Sequence, residues 1–139
     1  MPKVLQLSMQ NRSSELVQLM RQVNGFLESH SLPPRIVYNA NLVLEEVLTN
    51  IIKYAFHDSA AHEIGVLLAL REEGLFIEVV DEGMEFDPLA IPAPEMKDSI
   101  LEADEGGLGV HLVRRTVDSI SYRRDASRNI LTLMLALNS

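Results

Sequence analysis

The chain has 139 residues, 47% of them apolar and none of them cysteine, and its 12 basic and 20 acidic side chains give a net charge of −8. This composition is typical of a globular protein and excludes disulfides and cysteine-ligated zinc. The negative charge opposes nucleic acid as a partner, because that binding depends on Lys and Arg neutralising phosphates. A nucleotide is still possible, since backbone N–H groups and Mg²⁺ can bind a triphosphate.

Length and hydropathy predict a single domain over residues 1–139. The apolar runs fall short of the roughly 18 residues that span a bilayer. The amino terminus turns polar at Gln6, before the core of a signal peptide could form. We therefore expect a cytoplasmic protein with no membrane attachment.

Apolar periodicity predicts eight elements, because steps of three and four residues indicate helices and alternation indicates strands. Ser13 or Ser14 is placed to cap the first helix, and Pro34 can open the second, since proline is tolerated in a first helical turn. A polar turn ending in Gly74 joins the two middle strands into a hairpin. In chain order, we predict a strand over residues 4–9, helices over 14–30 and 34–57, strands over 63–70 and 75–81, a helix over 108–119, and strands over 119–124 and 129–136.

This order of elements predicts the α+β class, with an antiparallel or mixed sheet and helices on one face. Between the middle hairpin and the last helix, residues 84–105 contain three prolines and seven acidic residues. Loops of this length in a domain are usually functional lids or disordered segments.

Three polar residues of the second predicted helix, Glu46, Asn50 and Lys53, fall within an arc of roughly 60° that borders its apolar stripe. An asparagine carbonyl is a suitable Mg²⁺ ligand when phosphate oxygens and waters complete the coordination. A carboxylate one turn away can orient an attacking hydroxyl or water. The competing interpretation is a solvated helix flank, because E-x-x-x-N arises readily by chance.

A second polar segment follows the strand predicted to end at Asp81. The carboxylate of Asp81 can accept a hydrogen bond from the amino group of adenine, whereas guanine would present an unpaired acceptor there. Gly83 allows the backbone to approach a flat ligand closely. The alternative is an ordinary turn at the end of a strand.

A third segment, Gly106, Gly107 and Gly109, precedes the last predicted helix. Glycines next to the free N–H groups of a helix start can surround a phosphate. The segment lacks the lysine and hydroxyl of the P-loop pattern. A flexible hinge that simply starts a helix is the alternative.

Together these segments resemble the GHKL ATPase superfamily, and most closely its small bacterial anti-sigma-factor serine kinases. The resemblance covers nearly the whole chain and depends on three strings: EEVLTNIIKYAF, DEGMEFDP and EGGLGVHLVRR. It implies a two-layer α/β sandwich in which three helices cover one face of a mixed, mostly antiparallel sheet.

The resemblance also implies roles for individual residues in binding ATP and Mg²⁺. Glu46 would be the catalytic carboxylate, Asn50 the Mg²⁺ ligand, and Asp81 with Gly83 the adenine contacts, while residues 88–105 would form an ATP lid. The remaining ATP-binding positions would be Lys53, Met84, Gly106, Gly107, Leu108, Gly109 and Val110.

The partners implied by the resemblance are proteins and a second copy of the chain. A homodimer would bind an alternative sigma factor or a comparable regulator and phosphorylate a serine of an antagonist protein. Some members place an arginine just before the second glycine segment, where this chain has Asp104 and Glu105. Lys53 could substitute for that cation, or it could be a solubilising charge.

Two functional hypotheses therefore stay open: a serine/threonine kinase, and a catalytically weak ATP-binding switch that sequesters a partner. A histidine-kinase fragment is disfavoured, because the ATPase fold would use the whole chain. We expect Arg123, Arg124, Asp125 and Asn129 to form a hairpin turn, since their spacing does not match a protein-kinase catalytic loop.

Overall fold

The structure is a computed structural model that describes residues 2–88 and 105–138, with the backbone alone described for residues 105–108. It contains five strands and three helices. In chain order they are β1 (Val4–Gln10), α1 (Ser13–Ser29), α2 (Pro34–Tyr54), β2 (Glu63–Leu70), β3 (Gly74–Asp81), α3 (Glu105–Thr116), β4 (Ser119–Asp125) and β5 (Arg128–Ala136).

The strands form one sheet in the order β1-β2-β3-β5-β4. All four neighbouring pairs are antiparallel. The α+β prediction is confirmed, and the described sheet is wholly antiparallel rather than mixed. Because β5 lies between β3 and β4, the ends of these three strands are adjacent. They form one side of the site described below.

Alternation along the strands creates one apolar face of the sheet, on which the helices pack. Strand side chains point alternately to the two faces, so every second residue lies on the helix side. Burial of each large apolar side chain contributes about 1.5–3 kcal/mol. On the helix-facing side of the sheet, the buried apolar residues include Ile64, Val66 and Leu68 of β2, Leu75, Ile77 and Val79 of β3, and Leu133 and Leu135 of β5. On the helices, they include Val23 and Leu27 of α1, Ile36, Val43, Leu44 and Leu48 of α2, and Val113 of α3.

The predicted boundaries of α2 were wrong at its carboxyl end. The helix ends at Tyr54 rather than at residue 57. The next residue, Ala55, accepts a 2.9 Å hydrogen bond at its carbonyl from the backbone N–H of Met84. This contact comes from a segment about 30 residues further along the chain, so local periodicity could not predict it.

The starts of α1 and α3 also differ from the prediction. The residue before α1 is Arg12, which makes no capping bond through its side chain, so the assignment of Ser13 or Ser14 as the cap was wrong. Helix α3 begins at Glu105 rather than at residue 108. The three glycines therefore lie inside the first turns of α3, although each glycine costs about 1 kcal/mol there relative to alanine.

Two further predictions concern membrane-spanning helices and the ATP lid. Within the described ranges, no helix is both long enough and apolar enough to cross a membrane. The predicted ATP lid, residues 88–105, lies outside the described residues from 89 to 104.

Candidate active site

A pocket of about 150 Å³ lies between α2, α3 and the helix-facing side of the sheet. Its polar lining includes Asn50 of α2, Asp81 of β3, Tyr122 of β4 and Asn129 of β5. Apolar walls with a few converging polar groups are typical of small-molecule sites. The apolar lining includes Val47, Ile51, Val79, Met84, Phe86, Val110, Val113, Ile120 and Leu131.

The carboxylate of Asp81 is fixed by two hydrogen bonds at the sheet side of the pocket. Its side chain is only 5% exposed. Its Oδ1 atom accepts a bond of 2.8 Å from the backbone N–H of Gly83 and one of 3.0 Å from Nδ2 of Asn129. A buried carboxylate needs such partners, because burying an unpaired charge is costly. These bonds orient the carboxylate relative to the pocket.

Gly83 permits a close approach between the loop after β3 and the end of α2. A methyl group on Gly83 would lie 2.6 Å from Cβ of Ala55 and 2.7 Å from its carbonyl oxygen. The next residue, Met84, lines the pocket and is half-exposed. The observed close approach of Gly83 is thus to the protein's own backbone, and it brings Met84 to the pocket.

Asn129 is a site residue that the sequence interpretation missed. It is as buried as Asp81, at 5% exposed. Beyond its bond to Asp81, its Nδ2 donates to the carbonyl oxygen of Met84 at 2.8 Å. Residues 119–136 do form the expected hairpin of β4 and β5, but Asn129 also reaches the loop after β3. A polar residue at the start of an otherwise apolar strand was the available sequence signal.

Two side chains of β4 complete this polar group. Arg124 Nη1 donates to the carbonyl oxygen of Gly83 at 2.8 Å and to Oδ1 of Asn129 at 3.0 Å. The hydroxyl of Tyr122 also donates to Oδ1 of Asn129. The loop after β3 is thereby joined to the sheet through side chains from β4 and β5.

On the helix side of the pocket, Glu46 and Asn50 of α2 lie against Gly109 of α3. A methyl group on Gly109 would overlap the carboxylate oxygen Oε2 of Glu46 and lie 3.7 Å from Nδ2 of Asn50. Glu46 is half-buried, whereas its neighbour Glu45 is exposed and lines a separate groove between α1 and α2. The structure thus distinguishes the two adjacent glutamates and places Glu46 with Asn50.

The other predicted ATP-binding residues have different positions. Val110 is buried and lines the pocket. Gly106, Gly107 and Leu108 lie in the first turn of α3, where backbone N–H groups have no partner within the helix. Lys53 is exposed in the last turn of α2.

The donor set at this end of the pocket matches the usual requirements of Mg²⁺. Among the described residues, no three His, Asp or Glu side chains are clustered as a metal site. Mg²⁺ bound with a nucleotide typically uses one or two protein oxygens and completes its coordination with phosphate oxygens and waters. The single amide of Asn50, which lines the pocket, fits that pattern.

The loop between α2 and β2 is organised by His62 at the outer edge of the site. The Nε2 atom of His62 lies 2.6 Å from Oδ1 of Asp58, and this hydrogen bond lowers the pKa of the Asp58 carboxyl below its ordinary value. The ring of His62 stacks on that of Phe56 with centroids 4.0 Å apart. The adjacent His57 contacts the Sδ atom of Met84.

Comparison with known proteins identifies the family of this chain. Residues 9–135 match the model of the histidine kinase-like ATPase domain. The serine/threonine-protein kinase BtrW of Bordetella bronchiseptica is 31% identical over 101 residues, which cover 71% of this chain and 70% of BtrW. The serine-protein kinase RsbW of Bacillus cereus strain AH187 is 27% identical over 104 residues, covering 68% of this chain and 61% of RsbW. The aligned part of this chain thus spans about three fifths of that RsbW.

Proposed function

This chain belongs to the family of histidine kinase-like ATPase domains, and we propose that it binds ATP with Mg²⁺ and transfers the γ-phosphoryl group to a protein serine or threonine. One observation carries the proposal: Glu46 and Asn50 lie against Gly109 beside a pocket whose opposite side presents the buried carboxylate of Asp81. Base recognition and phosphoryl transfer are thus assigned to two sides of one pocket.

The base would bind at the sheet side of the pocket. Asp81 lines the pocket and can accept a hydrogen bond from the 6-amino group of adenine. A guanine would place its carbonyl oxygen against the carboxylate, which leaves two acceptors unpaired in a buried site. The apolar residues Val79, Ile51 and Val113 offer packing surfaces for the purine ring.

The phosphates would bind at the start of α3. The unpaired N–H groups of the first helical turn and the positive end of the helix dipole favour an anion. Gly106 and Gly107 carry no side chain that would obstruct a phosphate. Asn50 would contribute one oxygen ligand to Mg²⁺. When bound, Mg²⁺ supplies neutralisation of phosphate charge.

Glu46 would act on the protein substrate. The hydroxyl oxygen of a serine or threonine forms a bond to the γ-phosphorus, the bond from that phosphorus to the ADP oxygen breaks, and the hydroxyl proton is released. By accepting a hydrogen bond from the hydroxyl, Glu46 would orient it and receive its proton. Positioning is the main requirement, because phosphoryl transfer proceeds through a loose transition state.

The protein partners are proposed from the relatives and from the sequence resemblance. BtrW is named a serine/threonine-protein kinase and RsbW a serine-protein kinase. We therefore propose a cytoplasmic homodimer that binds an alternative sigma factor or a comparable regulator and phosphorylates an antagonist of that complex.

Calorimetry with ATP, ADP and GTP, each with and without Mg²⁺, tests the nucleotide part of the proposal. We expect ATP and ADP to bind, with ATP tighter when Mg²⁺ is present, and GTP to bind much more weakly. Absence of binding by all three nucleotides would refute the proposed function. Equal binding of ATP and GTP would refute only the role of Asp81.

A second candidate function, an ATP-dependent switch without phosphoryl transfer, is favoured by the acidic pair Asp104 and Glu105, where some members have an arginine. A well-placed cation increases the rate of phosphoryl transfer by about 10³–10⁵. Incubation with radiolabelled ATP and a co-purified partner separates the two functions. Label on a serine or threonine of the partner supports the kinase, and nucleotide-dependent partner binding without label supports the switch.

A further inference from the structure

We propose that Asn129 is a positioning residue that sets the selectivity of the pocket for adenine, by fixing the carboxylate of Asp81 as a hydrogen-bond acceptor. This inference rests on the proposed role of Asp81 in binding the base. Asn129 would act through Asp81 and not on the reacting phosphate.

The sheet register places Asn129 between two charged residues. Asn129 of β5 is directly opposite Asp81 of β3 on one side and Arg124 of β4 on the other. Residues directly opposite in an antiparallel pair point to the same face with Cβ atoms about 4.5–5.5 Å apart. The three side chains therefore form a row across the end of the sheet, on the face that carries the pocket.

The hydrogen bonds define which way the amide of Asn129 is oriented. Its Nδ2 group faces oxygen atoms only: it donates to Asp81 Oδ1 at 3.0 Å and to the carbonyl of Met84 at 2.8 Å. Among the described residues, its Oδ1 atom faces donors only: Arg124 Nη1 at 3.0 Å, the hydroxyl of Tyr122 and the backbone N–H of Phe86 at 3.4 Å. A rotation of the amide by 180° would place Nδ2 against the Arg124 donor and Oδ1 against the Asp81 and Met84 oxygen atoms.

No other side chain of similar shape offers this combination. Asparagine carries two N–H donors and an acceptor oxygen with two lone pairs, whereas an aspartate accepts only and a leucine does neither. The Nδ2 group of Asn129 orients the Asp81 carboxylate by donating a hydrogen bond to it. The Oδ1 atom of Asn129 accepts hydrogen bonds from side chains of β4, which hold the amide in that orientation. With the donor removed, the Asp81 carboxylate loses one of the two bonds on Oδ1 that set its direction.

The inference can be tested by removing the amide donor of Asn129 from the protein and the 6-amino group of adenine from the ligand. ATP is compared with purine riboside 5′-triphosphate, which lacks the 6-amino group, in wild type, in Asn129→Asp and in Asn129→Leu. A cycle of this kind isolates the coupling between the two groups. A matched control is Asn41→Asp, because Asn41 also donates from Nδ2 to a neighbouring side chain, Asn24, but lies between α1 and α2.

Wild type and Asn41→Asp should bind ATP at least about tenfold more tightly than the deamino nucleotide, because a hydrogen bond to a buried charged group is lost with the amino group. In both Asn129 variants we expect this ratio to fall to within about twofold of unity. A purely structural loss would weaken both nucleotides equally and leave the ratio unchanged. An unchanged ratio in either Asn129 variant would therefore overturn the inference.

The result in wild type distinguishes this inference from the function on which it rests. A wild-type protein that binds ATP and the deamino nucleotide equally would overturn the Asp81 assignment and this inference with it. A wild-type protein that binds neither would refute the proposed ATP site as a whole.

Discussion

The two sides of the pocket differ in how completely the protein itself fixes their polar groups. On the sheet side, Asp81 and Asn129 are each 5% exposed and hydrogen-bonded to each other. On the helix side, Glu46 and Asn50 are half-buried, and their side chains make no hydrogen bond or ion pair with other described residues. The side proposed to bind the base is organised by the fold, whereas the side proposed to bind the phosphates leaves its polar groups available to ligands.

The physical reason is the kind of scaffold on each side. Adjacent strands place opposite side chains at short, fixed distances. Polar groups in a row at the end of a sheet can therefore form hydrogen bonds with one another. On a helix, neighbouring side chains lie three or four positions apart and fan outwards into solvent. Catalytic hydrogen bonds commonly tighten only when substrate binds.

The largest expected effect comes from the helix side. Glu46→Gln should slow phosphoryl transfer about 10²–10⁴-fold, because it removes the group that accepts the hydroxyl proton. ATP affinity measured by calorimetry should change little. Glu45→Gln is the matched control, since Glu45 is exposed and borders the other groove. Equal activity of the two variants would contradict the distinction between these glutamates.

On the sheet side, Gly83→Ala should disturb both binding and stability. The added methyl group would meet the Ala55 carbonyl oxygen at 2.7 Å. Such overpacking costs about 1–3 kcal/mol in the free energy of unfolding. Denaturant unfolding and ATP calorimetry measure the two consequences.

Gly25→Ala provides the control for that substitution, because a methyl group on Gly25 in α1 would meet nothing within 4 Å. Alanine should there raise the free energy of unfolding by about 1 kcal/mol through helix propensity alone. If both glycine variants were equally stabilised, the close contact between Gly83 and Ala55 would be disproved.

A smaller effect is expected at Asn50. In Asn50→Ala, Mg²⁺ should no longer strengthen ATP binding, whereas affinity without Mg²⁺ should be unchanged, because only the metal ligand is removed. Thr49→Ala, a neighbouring change on the side of α2 that faces the other groove, should retain the full Mg²⁺ effect. Calorimetric titrations with Mg²⁺ or with EDTA measure the difference.

The smallest effect concerns the loop outside both sides of the pocket. The hydrogen bond from His62 lowers the pKa of Asp58 below its ordinary value, so its ionised form is stabilised in the folded protein. The resulting stability is present above the unfolded-state pKa and is lost as pH falls through the folded-state pKa. His62→Ala should raise the Asp58 midpoint in an NMR titration, and it should leave ATP affinity at neutral pH unchanged. A midpoint that does not move would show that His62 is not the cause.

The sequence predicted the elements of the fold because their apolar periodicity is local. Steps of two, three and four residues predicted all five strands and the three helices, and the order of these elements predicted the α+β class. The wrong end of α2 lies at a tertiary contact. Ala55 is in contact with Gly83 and Met84, which come from the loop after β3.

For the site, the sequence predicted the three segments but not how they are supported. Asn50, Asp81 and Val110 were expected from motifs, and all three line one pocket. Asn129 was interpreted as a turn residue, because its role depends on the register of β5 against β3 and β4. Register is a long-range property that no single segment of this sequence specifies.

The number of residues in the turn between β4 and β5 matters for the pocket, although this turn lies at the surface. Such turns usually tolerate inserted residues. Here residues 126 and 127 set the register of β4 against β5, and Ala126 already adopts a positive φ of 55°. If one extra residue shifted this register by one position, Arg124 and Tyr122 would move to the opposite face of the sheet, away from Asn129. On the proposed role of Asn129, the length of this surface turn therefore contributes to the selection of the nucleotide.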